Sequence, residues 1–277
     1  MRQKACQAEE IMYLEHWNLN RLPFENVPNP AFFYPSPTHE EALERLKYTI
    51  YCGKGAAMIT GGVGCGKTIL SRALINRLEK ERYHVAAMTN PLLAPVAFLH
   101  SVMCSFKESH NHAPPKAKLW NELEGQLKKN MERGNGSVLI IDEAQAITDR
   151  RTLEELRMLL NLQTDDKFML TLILLGQLEL EHLIKGVEPL KQRIAIKYRL
   201  NHLSMQDVDS YVGHRLRIAG SNQSPFSDEA LEAIYAYTQG IPRDINNLCD
   251  RSLLSGYLEN IEGVDKAVVD EAWQDLH

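Results

Sequence analysis

The stretch MITGGVGCGKTILSRAL, Met58 to Leu74, constrains this chain more than any other. A short apolar run enters a glycine cluster, and the cluster opens into residues with helical apolar spacing. Gly61, Gly62, Val63, Gly64, Cys65, Gly66, Lys67 and Thr68 satisfy G-x-x-x-x-G-K-[ST] in full, with a strand expected before and a helix after. Glycines at such a loop let successive backbone N–H groups curl around phosphate oxygens. The helix N-terminus adds the positive end of its dipole. Lys67 offers a point charge to the β- and γ-phosphates, and Thr68 offers its hydroxyl to Mg²⁺. The expected ligands are therefore ATP and Mg²⁺. Gly61 through Thr68, with Ile69 following on the helix, are the expected binding residues, and Thr68 is also a metal ligand.

A second stretch, SVLIIDEAQ, ends a buried apolar strand in two carboxylates. Placing carboxylates there is costly unless they face a cation or water. Asp142 is expected to steer the magnesium. Glu143 is expected to polarise an attacking water as general base.

Around these motifs, strands alternate with helices. Apolar runs at AAMIT, YHVAAMT, SVLII, FMLTLILLG and IAIKYRL read as five strands. Helical patterns fall over 38–53, 67–79, 95–106, 119–133 and 152–162, the first opening on a capping box from Thr38 to Glu41. Strands apolar throughout imply a parallel sheet covered on both faces. After Leu200 the pattern is purely helical. Before Thr38, a Pro- and Asn-rich segment without period reads as an extended arm lying on a surface. From Asn201 onward 5 basic residues stand against 13 acidic, a balance of −8, whereas residues 1–200 carry 26 against 23, or +3. That contrast marks two domains, and the body lacks the strongly basic footprint of a nucleic-acid binder.

The longest apolar runs fall short of the ~20 residues that span a bilayer, and MRQKACQAEEIMYLEHW lacks a signal-peptide core. A cytoplasmic protein is expected. The five cysteines are scattered and form no CxxC pair, so neither zinc nor a disulfide framework is expected. Cys65, inside the loop beside Lys67, is expected to have a lowered pKa and to react with alkylating reagents.

The ordered set HWNLNRLPFENVPNPAFFYPSPTHEEAL, the glycine loop, LIIDEAQ, LEELRMLLNLQTDDK, LILLGQLEL, LKQRIAIKYRL, YVGHRLRIAG and GIPRDINNLCDRSLL resembles the ExeA-type AAA+ ATPases named for general secretion. It resembles more loosely the TniB/TnsC-like transposition regulators. The resemblance implies an α/β P-loop NTPase (AAA+) core with a parallel five-stranded sheet at 38–200. It implies a small all-helical lid at 201–277 and an N-terminal arm at 1–37 contributing to the nucleotide pocket. It assigns Gln177 as a γ-phosphate sensor and Arg193 as an arginine finger toward a neighbouring subunit, with Arg199 as the rival. Arg243 matches the second sensor, reaching the phosphates from the lid, and Tyr34 or His39 is expected at the adenine.

The function expected from the resemblance is an ATPase working between subunits of a ring or filament as a nucleotide-driven switch. A DNA-associated role is the first expectation, regulating or delivering a transposase on double-stranded DNA, because secretion members continue into membrane-spanning and peptidoglycan-binding regions and this chain ends at His277 with the lid. Lys116, Lys118, Lys128, Lys129, Arg133, Arg150 and Arg151 are the candidate phosphate contacts. The alternatives are an ATPase energising assembly of a secretion or pilus complex with a separate envelope partner, and a nucleotide-binding scaffold without turnover.

Overall fold

A computed structural model describes residues 13–106 and 115–276. Its contacts divide the chain into two units: Thr38–Val63 with Lys67–Leu200, and the residues before Thr38 with Gly64–Gly66 and the residues after Leu200. Cys6 lies outside the described residues.

The first unit is a five-stranded parallel sheet in the order β2-β3-β4-β1-β5. The strands are β1 Ala56–Gly61, β2 Tyr83–Met88, β3 Gly136–Ile141, β4 Thr171–Gly176 and β5 Ile194–Leu200. The helices are α1 Pro37–Tyr51, α2 Lys67–Arg77, α3 Pro95–Phe106, α4 Lys116–Glu132, α5 Arg150–Leu159, α6 Glu179–Lys185 and α7 Glu188–Arg193. The central strands β1 and β4 are buried at every position. The edge strands are not: Lys197 and Arg199 of β5, and His84 and Ala87 of β2, are exposed. The expectation of strands apolar throughout holds for the interior of the sheet and fails at its rims, where one side of the strand has no neighbour to cover it.

Helix α1 begins at Pro37, one residue before the expected Thr38 cap. Proline at the first helical position has its φ preset and loses no hydrogen bond there. The Glu41 carboxylate accepts from Arg45 and from the Tyr198 hydroxyl. The helix stops where Gly53 adopts φ 57°, with Gly53 N–H donating to Ile50 O and Lys54 N–H to Thr49 O. That is the left-handed C-terminal closure for which glycine is suited. Helix α5 is capped by Asp149, whose carboxylate accepts from Arg151 N–H at 2.8 Å. The guanidinium of Arg151 beside it holds the Asp149 carboxyl below its ordinary range.

The second unit contains α8 Met205–Ile218, α9 Asp228–Thr238, α10 Pro242–Leu258 and α11 Lys266–Leu276. Ser204 and Asp207 form a capping box at the start of α8. Within the described residues 13–37, the segment packs part of itself into this unit's core rather than only lying on a surface. Trp17, Leu19, Phe24, Phe32 and Phe33 are buried, and the Trp17 indole N–H donates to Leu253 O at 2.9 Å. Its aromatic side chains supply part of the core that the four helices cannot complete alone.

Arg215 on α8 holds this segment in place. It is 4% exposed and donates to Pro23 O at 2.5 Å, Glu25 O at 2.8 Å, Tyr211 Oη at 2.7 Å and Asn246 Oδ1 at 3.0 Å. Its guanidinium lies 4.9 Å from the Phe32 ring centre. A buried cation tolerates this site only because its donors are satisfied and a ring face supplies further attraction. Arg215→Met keeps most of the volume and leaves two backbone carbonyls without their donors. It should lower stability by about 2–4 kcal/mol, read as a lower urea midpoint followed by tryptophan fluorescence. An unchanged midpoint would contradict this account of the arm.

Candidate nucleotide site

The chain leaves β1 at Gly61 and enters α2 at Lys67. Between them Gly64 and Gly66 adopt φ 78° and 96°, a region that L side chains rarely enter. The turn therefore needs glycine at these two positions. The Lys67 ammonium doubles back on the loop, donating to Gly61 O at 2.9 Å and Gly62 O at 2.8 Å. Lys67 is buried, Val63 is exposed, and Ile69 is half-buried on the first turn of α2. Cys65 is completely buried, which corrects the expectation of a readily alkylated thiol: a side chain folded inward lacks the access that thiolate chemistry requires. Of the other described cysteines, Cys52 is exposed, and burial pushes the Cys249 thiol well above its ordinary range.

Sheet order brings the second motif to the same end of the sheet. β3 and β1 both flank β4, so the residues following all three strands lie side by side. Asp142 follows β3, its N–H bonded to Met88 O at 2.8 Å. Asp142 is 5% exposed, and its carboxylate carries two donors: Thr68 Oγ1–H to Oδ2 at 2.6 Å and Glu143 N–H to Oδ1 at 2.9 Å. Bonds of this kind to a carboxylate are short and strong, and they offset the cost of burying the charge.

Glu143 follows with φ 53° and ψ 36°, a left-handed conformation uncommon for a residue with a side chain. The chain then makes a 3₁₀ turn, Ala144–Ala146, anchored by the buried Ala144 and Ile147. Gln145 on this turn donates from Nε2 to Glu143 Oε2 at 2.5 Å. Its Oε1 accepts from the backbone N–H of Gln177 at 3.0 Å, just past β4. The Gln177 side chain reaches the same glutamate oxygen at 3.5 Å. The sequence reading gives Gln145 no role, although it ends the LIIDEAQ stretch. Its partner Gln177, just past β4, is 32 residues away.

The structure thus gathers Lys67, Thr68, Asp142, Glu143 and Gln177 at one end of the sheet. It does not add Arg193, which closes α7 and donates to Asn161 Oδ1 at 2.5 Å and Pro189 O at 3.2 Å. Arg199 is exposed on β5, paired in register with Thr60. Arg243, on the first turn of α10, belongs to the helical unit together with Gly64, whose carbonyl accepts from Arg243 N–H at 3.3 Å. Tyr34 packs its ring against Tyr211 and His214, at 5.9 Å and 5.7 Å between centres, and His39 is buried on α1. Of the candidate DNA contacts, Lys116 is tied to the buried Glu155 and Arg151 to Asp149.

Thr68 and Asp142 present the hard oxygen donors that magnesium takes, one hydroxyl and one carboxylate. Among the described residues no cluster of three or more His, Cys, Asp or Glu forms a self-sufficient metal cage. The donor set therefore fits an ion that completes its shell with phosphate and water. Among the same residues no helix is long and apolar enough to cross a membrane.

Comparison with known proteins agrees with this geometry. Residues 51–184 match a model described as AAA domain. General secretion pathway protein A of Aeromonas hydrophila is 38% identical over 248 residues, covering 89% of this chain and 45% of that protein. The chain thus spans under half the length of that relative. Among solved structures, the Aeropyrum pernix ORC2 protein in its ADPNP–ADP complexes matches with TM-score 0.69 and 16% identity, over 92% of this chain and 72% of that one. Drosophila ORC bound to DNA matches with TM-score 0.68 and 17% identity, over 86% and 60%. At such identities the structural matches speak to the fold, an AAA+ α/β core with further helices. The secretion-pathway protein is more similar in sequence to this chain than these structures are, and together with the AAA domain match it supports the AAA+ P-loop reading of the ExeA type.

Proposed function

We propose that the chain binds ATP at Gly61–Ile69 and hydrolyses it, working as a nucleotide-driven switch between subunits of an oligomer. The observation that carries this reading is the 2.6 Å bond from Thr68 to Asp142, with Glu143 next in the chain donating its N–H to the same carboxylate. A phosphate-binding loop, a buried strand-end acid and a second acid in a strained position serve little purpose in a scaffold that only holds nucleotide. Strain of this kind is kept where a site needs it.

In this reading the loop N–H groups and Lys67 hold the triphosphate. Thr68 and Asp142 hold magnesium, which when bound neutralises charge on the phosphate oxygens. Glu143 accepts a proton from water as the water oxygen bonds to the γ-phosphorus and the bond from that phosphorus to the bridging oxygen breaks, leaving ADP and phosphate. Gln177 senses the γ-phosphate, Arg243 acts as the second sensor, and Arg193 serves the site of a neighbouring subunit, with Arg199 as the rival.

For the biological role, the 38% identity to a protein named for the general secretion pathway favours an ATPase that energises assembly of an envelope complex. Transposition regulation on double-stranded DNA is the alternative. Two of its candidate phosphate contacts, Lys116 and Arg151, are already engaged by carboxylates.

Glu143→Gln should retain ATP binding, lower turnover by about 10²–10⁴-fold and enlarge the oligomer in ATP, measured by phosphate release and light scattering. Turnover of the wild type should be indifferent to duplex DNA. Stimulation by DNA that fades steeply as salt rises would move the role to transposition. Fast turnover by Glu143→Gln would remove the general base.

Mixing subunits tests the finger. Arg193→Ala and Lys67→Ala should each be inactive alone, the first losing about 10³-fold or more. Together they should regain activity, because each supplies what the other lacks. Recovery with Arg199→Ala in place of Arg193→Ala would transfer the role to Arg199, and no recovery with either would count against chemistry between subunits.

A further inference from the structure

We infer that Gln145 is a positioning residue that fixes the Glu143 carboxylate and links it to the end of β4. The inference rests on the reading of Glu143 as the general base. Glu143 alone is poorly held: its backbone is left-handed at φ 53° and its side chain stands at the half-buried edge of the sheet. Gln145 supplies what the backbone does not. Its Nε2 donates to Glu143 Oε2 at 2.5 Å while its Oε1 accepts from Gln177 N–H at 3.0 Å. The second bond fixes which way the amide faces. With the oxygen committed to a backbone donor, the nitrogen must point at the carboxylate.

Neighbouring residues make room for this arrangement. A Cβ on Gly176 would lie 2.7 Å from Gln145 Oε1 and 2.8 Å from Leu180 Cδ2. The close approach of the amide to β4 therefore requires glycine at the last position of that strand. Gln177 Nε2 stands 3.5 Å from the same glutamate oxygen, so two amides converge on it. Glu143, Gln145 and Gln177 form a closed loop of contacts that joins the ends of β3 and β4. A group bound against Gln177 would be felt at Glu143 through Gln145 as well as through the direct contact. Glutamine suits the position because one amide both donates to an anion and accepts from a peptide N–H; methionine of similar size does neither, and glutamate would set a carboxylate against a carboxylate.

The test is steady-state ATP turnover and equilibrium ATP binding for the full chain carrying Gln145→Met, Gln145→Glu, Glu143→Gln or Glu143→Gln with Gln145→Met. Gln145→Met should lower kcat about 10–100-fold, the usual cost of removing a partner that orients a reacting group. KM and the ATP dissociation constant should stay as in the wild type. Gln145→Glu should be at least as slow, and it serves if the methionine variant fails to bind nucleotide. The double variant should be no slower than Glu143→Gln alone, because Gln145 acts through that carboxylate. Wild-type kcat in both Gln145 variants while Glu143→Gln is slow would overturn the proposal and leave the base in place. So would losses that multiply in the double variant, or a loss confined to ATP affinity. Fast turnover by Glu143→Gln would remove the base reading and the proposal with it.

Discussion

A carboxylate at the end of a buried strand has to be answered, and much of the α/β unit is arranged around the answer. Asp142 is almost fully buried, and two donors meet it: the Thr68 hydroxyl and the N–H of Glu143. The first donor reaches Asp142 only because β4 alone separates β3 from β1, so the helix that follows the glycine loop starts beside the acid. The second holds the following residue in a backbone conformation it would not choose unaided. Ligands of open parallel sheets gather at the carboxyl ends of the strands, and here those ends carry the loop, both acids and Gln177.

The parts of this site that act through consecutive residues were legible in the sequence. The glycine loop is written in eight adjacent positions, and Asp142–Glu143 closes an apolar run that could only be a buried strand. Gln145 was not legible, because its meaning comes from β4, 32 residues further on, and no periodicity marks it. The edge strands misled for a related reason. Apolar runs report a strand's own composition, and only sheet order shows that β2 and β5 have a free side.

The N-terminal segment shows the opposite failure. Its prolines and asparagines masked a set of aromatic side chains that needed burial, and Arg215, some 190 residues away, supplies the hydrogen bonds that keep the segment in the helical core. Charged neighbours alone suggest a reactive Cys65, whereas reactivity also depends on access, and Cys65 is fully buried.

The central claim is that the loop from Gly61 to Thr68 holds a triphosphate whose magnesium is steered by Asp142. It is tested most directly by titrating ATP into the protein calorimetrically, with and without magnesium, for the wild type and Asp142→Asn. The account predicts saturable binding by the wild type that tightens with magnesium, and a variant that binds but gains little from the metal. No uptake of ATP by the folded wild type, or a magnesium gain of equal size in the variant, would contradict it.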